Sequence, residues 1–149
     1  MSYEERNAAA ALITSIALFT VYAMRLSQMY QAGRFDGPDA FAVAAVAVLW
    51  LIGAGIVATI LVTILANILA AIVTGDPNPR FTVDERDRMI ELRGIRAGQY
   101  IFGGIFIIAV IALARGAAPL TFFHMIVFGF GISTSFEAVI RLAMYRMGA

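Results

Sequence analysis

Apolar residues fall into four long blocks along the chain, separated by short stretches rich in charge, glycine or proline. Each block reaches the ~20 residues an α-helix needs to cross a hydrocarbon core. The blocks predict helices over residues 8–30, 39–74, 84–114 and 119–146, in a single transmembrane domain covering residues 1–149. Lipid offers no partner to exposed backbone, so such a chain satisfies its amides within helices. The expected fold is all-α: a polytopic membrane protein built as an antiparallel four-helix bundle.

The separators carry their own signals. Gly37-Pro38-Asp39 is a helix start, with proline at the first helical position and an acid beside the positive dipole end. Gly75-Asp-Pro-Asn-Pro-Arg80 cannot continue a helix. Thr82-Val-Asp-Glu85 then fits a capping box, and Arg115-Gly-Ala-Ala118 is a tight turn with Gly116 as stop and Pro119 as restart. The second helix is too long for one membrane crossing, at about 54 Å against a ~30 Å core. Gly53 and Gly55 mark a kink there, and Trp50 suits the outer interface, leaving residues 51–72 as the span.

The short turn at Arg115 makes the third and fourth helices antiparallel neighbours. Counting outward from it sets Gly103-Gly104 against Gly129 and Gly131, Gln99 against Ser133 and Ser135, Glu91 against Arg141, and Asp87 against Arg146. Small residues then face small ones, amide faces hydroxyl, and acid faces arginine. Gly94 and Gly98 form a GxxxG pair that favours close approach.

Composition agrees with the pattern: 61% hydrophobic and 14% charged residues, with mean hydropathy +0.85. The acidic start, Glu4-Glu5, is unlike a cleaved signal peptide. Arg6, Arg80, Arg86, Arg88, Arg93, Arg96, Arg141 and Arg146 fall on the side of the termini and central loop, against Arg25, Arg34 and Arg115 opposite. That bias predicts both termini inside. A net charge of +1 gives no field for direct nucleic-acid binding. The absence of cysteine removes thiolate chemistry, and no Ser/His/Asp set, phosphate loop or HExxH occurs, so no enzyme, metal or cofactor is implied.

Candidate chemistry is sparse. Asp84, Asp87 and Glu91 share one side of the third helix's first turns, and Arg86 and Arg93 lie opposite with Arg96 nearby. The three acids form a conceivable cation site, but the arginines around them favour ion pairing. Thr59, Thr63 and Asn67 recur every four residues on the second helix, where interhelical hydrogen bonding is the ordinary reading and a polar ligand path the alternative. Glu137 is an acid within an apolar helix, with Arg141 one turn on. A structural pair, proton or ion handling, and partner contact all remain open for it. His124, the only histidine, lacks a second imidazole to share a metal or haem.

The block Asp84-Glu-Arg-Asp-Arg-Met-Ile90 and the closing Glu137-Ala-Val-Ile-Arg-Leu-Ala-Met-Tyr-Arg-Met-Gly148 resemble the DERxxxI and ExxxRxxxYRxG signatures of an uncharacterised family of small four-helix prokaryotic membrane proteins. Met147 departs from the arginine expected there. The resemblance implies a fold, a multi-pass place in a prokaryotic cytoplasmic (inner) membrane and a cytoplasmic face, but no activity. It also implies neighbouring helix-turn-helix regulators, hence a membrane protein that recruits or sequesters a soluble DNA-binding partner. The expected partner surface is Asp84, Glu85, Arg86, Asp87, Glu91, Arg93, Arg141, Tyr145 and Arg146. The alternative is a small-molecule or ion transporter, or a ligand sensor, using a cavity near Thr59, Thr63, Asn67 and Glu137. Membrane lipids and further copies of the chain are the other expected partners.

Overall fold

The computed structural model describes residues 3–74 and 84–147. Four helices account for nearly all of them: α1 (Tyr3–Gln31), α2 (Ala40–Thr74), α3 (Glu85–Ala114) and α4 (Pro119–Met147). Each is long and apolar enough to cross a membrane. The loop from Gly75 to Arg80, Thr82 and Gly148 lie outside the described residues.

Helix ends follow local chemistry. α3 is capped by Asp84, whose side chain accepts from the Glu85 amide at 2.7 Å, while the Asp87 carboxylate accepts from the Asp84 amide at 3.3 Å. The capping box is thus Asp84 with Asp87, two residues beyond the Thr82–Glu85 box expected. A carboxylate accepts at a helix start as well as a hydroxyl does. α3 stops at Gly116 (φ +93°), where the Ala117 amide donates to the Ala112 carbonyl at 3.0 Å, and α4 restarts at Pro119. α2 begins at Ala40, with the Val43 amide donating to the Asp39 carbonyl; the start is two residues past Pro38.

The large helix interfaces run in a row, α3 on α4, α4 on α1 and α1 on α2, with a lighter contact between α2 and α4. α4 is central because it carries two stripes. His124, Gly131 and Ala138, seven residues apart, are buried along the α1 side. Gly129, Ser133 and Glu137, four apart, meet α3: Ile105 packs over Gly129, and Ser133 and Glu137 crowd Gly98. On a 100° wheel the two stripes take opposite sides of the helix.

Small residues set the approach, as expected where lipid supplies no hydrophobic drive between helices. A Cβ on Gly94 would lie 2.6 Å from the Arg141 side chain and 3.3 Å from the Glu137 carbonyl, so the Gly94–Gly98 pair is where α3 comes close to α4. The expected stacking of Gly103-Gly104 on Gly129 and Gly131 does not form. Nothing lies within 4 Å of a Cβ at Gly103 or Gly104, and Gly131 faces the Phe19 ring of α1. Counting from a turn fixes height, not azimuth, and residues two apart on a helix point to opposite sides.

The α1–α4 seam is polar in the middle and aromatic above. Ser15 shares hydrogen bonds with Ser135 (3.0 Å) and Thr134 (3.4 Å), and Tyr22 is buried against Phe128. α2 is the outlying helix: its most apolar 18-residue stretch buries none of its residues. It is continuous from Ala40 to Thr74, and Trp50 on it is 75% exposed.

Candidate partner-binding surface

The charged residues nominated for partner contact lie at one end of the molecule, where α1 begins, α4 ends and α3 begins. The structure sorts them into two groups.

The α4 members are occupied between helices. Arg141 falls between the two stripes of α4 and there meets Glu4 of α1 (3.6 Å) and Glu137 (3.6 Å). Arg141, Glu4 and Glu137 keep only 15%, 22% and 28% side-chain exposure. Glu91, the partner expected for Arg141, is exposed and makes no ion pair with it. Arg146 reaches Glu5 at 4.0 Å rather than Asp87. Tyr145 takes that place, with its hydroxyl within hydrogen-bonding reach of the Asp87 carboxylate. These ties join α1, α3 and α4, and Glu137 belongs to them as half of an i, i+4 pair.

The α3 members are mostly turned outward. Asp84, Glu85, Arg86, Arg88, Glu91, Arg93 and Arg96 are exposed. Asp84 is engaged as the cap, and Asp87, half-buried, both closes the box and meets Tyr145. Arg88, Glu91, Arg93 and Arg96 make no ion pair among the described residues. The acidic stripe of the wheel therefore loses two of its three members to capping. Exposed there are Arg86, Arg88, Arg93 and Arg96 and the acids Asp84, Glu85 and Glu91, with Asp84 serving as the cap. Among the described residues no three His, Asp or Glu side chains converge as a metal site.

No family model, curated protein or solved structure matches the chain.

Glu4 and Glu5 are the functional-end residues that sequence reasoning missed. Their signal was available, since they are acids at the end of the chain that shares a face with Arg141 and Arg146. Thr59 is exposed and Thr63 and Asn67 are half-buried on the outlying α2. A groove does open between α1 and α2, but near the loop joining them, and its lining includes none of Thr59, Thr63, Asn67 and Glu137. His124 is buried beside Tyr30, Phe35 and Phe123, with its Nδ1–H donating to the Leu120 carbonyl at 2.8 Å.

Proposed function

We propose that this is a non-enzymatic, multi-pass membrane protein that recruits or sequesters a soluble partner on the outward charged face of α3's first turns. The observation that carries the reading is the division of charges at this end. Glu4, Glu137 and Arg141 are paired between helices and Arg146, itself 76% exposed, reaches Glu5, while Arg88, Glu91, Arg93 and Arg96 are exposed and free of ion pairs among the described residues.

Height separates these four further. Counting roughly 20 residues back from Ala114 puts the membrane boundary near Arg93 and Arg96, which then sit at phospholipid phosphates. Asp84 to Glu91 extend about 10 Å beyond, at 1.5 Å per residue. The protruding turns are what a soluble protein can touch. On these turns the exposed acids Asp84, Glu85 and Glu91 are interspersed with the exposed arginines Arg86 and Arg88, so the complementary surface is one of mixed charge. A soluble DNA-binding regulator is the partner class implied by the sequence resemblance.

The arginine bias supports a cytoplasmic placement of this end, and the sequence resemblance supports a prokaryotic inner membrane. Gly103 and Gly104, with open space beside them on α3, suit close contact with a second copy.

The test is affinity capture from native membranes, comparing the parent with Arg88→Glu/Arg93→Glu and, as control at the other end, Arg115→Glu. A soluble protein held at defined stoichiometry by the parent and the control, and lost from the double variant, supports recruitment. Equal capture by all three would remove the α3 face as the site.

A further inference from the structure

We infer that the groove between α1 and α2 is a binding site for an anionic phospholipid of the leaflet away from the termini. It encloses about 860 Å³ and is lined by apolar side chains such as Val21 and Val46, together with Tyr22, Arg25, Arg34 and Trp50. Its position is fixed by the fold: the turn after α1 hydrogen-bonds the Arg34 amide to the Met29 carbonyl, so Arg34 joins Arg25 of α1 in lining one groove.

Three observations specify the occupant. First, Arg25 and Arg34 make no ion pair among the described residues, and no carboxylate lines the groove. Two uncompensated guanidinium groups beside an apolar wall call for an anion, and their planar forks match phosphate oxygens. A cation has nothing to bind there. Second, Gln28 is exposed and lines the same groove, so its side-chain amide can donate to a headgroup oxygen beside the two arginines. Third, the wall continues onto the apolar surface of α2, where Trp50 is 75% exposed. An acyl chain can therefore lie along Val46 and Trp50 without leaving the bilayer, while the phosphate meets the arginines at the interface. Choline-type headgroups would set an ammonium against the same two arginines and bind less well.

Trp50 is the only tryptophan in the chain, so its fluorescence reads occupancy directly. The protein is reconstituted in vesicles of dioleoyl phosphatidylcholine containing a graded fraction of either brominated phosphatidylglycerol or brominated phosphatidylcholine. The anionic lipid is expected to quench at lower mole fraction, with a preference of roughly fivefold for each arginine engaged. Arg25→Gln/Arg34→Gln should abolish the preference, Arg25→Lys/Arg34→Lys should retain most of it, and Arg115→Gln should leave it unchanged. Equal quenching by the two lipids in the parent would overturn the proposal. So would loss of the preference in Arg115→Gln, which would make it general surface charge. Erasure of the preference by millimolar inorganic phosphate would make the site one for free anions and would overturn it equally.

Discussion

Arg141, in the last turns of α4, reaches across to Glu4 in the first turn of α1, with Nη2 3.6 Å from Oε2. The contact closes the charged end of the molecule, because the same guanidinium group also holds Glu137 at 3.6 Å and lies over Gly94 of α3. One side chain thus ties α1, α3 and α4 together.

Arg141→Met is expected to destabilise the protein by about 1–3 kcal/mol, since it leaves two half-buried carboxylates unpaired. The loss is smaller than for a fully buried pair because solvent still reaches all three groups. Thermal unfolding in detergent, followed by circular dichroism, measures it. A double-mutant cycle should couple Arg141 to Glu4 and Glu137, whereas Glu91→Gln should be silent alone and uncoupled to Arg141→Met.

Glycines separate by what a methyl group would meet. Gly131→Ala would set a Cβ 2.5 Å from the Phe19 ring, and overpacking of this kind costs about 1–3 kcal/mol. Gly104→Ala meets nothing within 4 Å in a single copy and in the monomer should be neutral or, through helix propensity, stabilising by a fraction of ~1 kcal/mol. The same melts distinguish them. Equal losses at both positions would mean that α3 and α1 do not pack on α4 as described.

Much of this was legible along the chain and little of it across. The α3–α4 turn could be read from Arg115 to Pro119 because Gly116 and Pro119 act on their own backbone. Gly94 and Gly98 could be read because their spacing fits one helix face. The α1–α4 seam was hidden, although Ser15 and Tyr22 lie seven residues apart on α1, as Gly131 and Ala138 do on α4. In an apolar helix such a period does not stand out, and nothing local says which helix faces it. The pairing of Arg141 with Glu91 fails for the same reason: counting along a hairpin gives height and not azimuth. At the charged end the acids of the α3 wheel also looked equivalent, although Asp84 and Asp87 are committed to the helix start and Glu91 is not.

Ser133 should contribute a modest amount, because its hydroxyl donates to the Gly98 carbonyl at 2.8 Å. Ser133→Ala is expected to cost about 0.6 kcal/mol, the usual size of an interhelical hydrogen bond in a membrane. Because the helices already approach closely there, Ser133→Val should cost more than the lost bond. A Val variant no worse than Ala would contradict the close approach at Gly98.

Asp84→Ala should remove the cap of α3 at a cost of about 1 kcal/mol. Local fraying is the expected form, read as faster amide hydrogen exchange at Glu85 and Arg86, with exchange at Tyr100 unchanged.

The most direct measurement on recruitment is site-specific photo-crosslinking in living cells. A benzophenone amino acid replaces Met89, which stands 50% exposed beside Arg88 at the protruding start of α3, or Ile107, 60% exposed in the middle of the same helix. The expected result is an adduct with one soluble protein from position 89, lost in Arg88→Glu/Arg93→Glu, and no soluble adduct from position 107. Adducts from position 89 that contain only lipid or further copies of this chain would contradict the proposal.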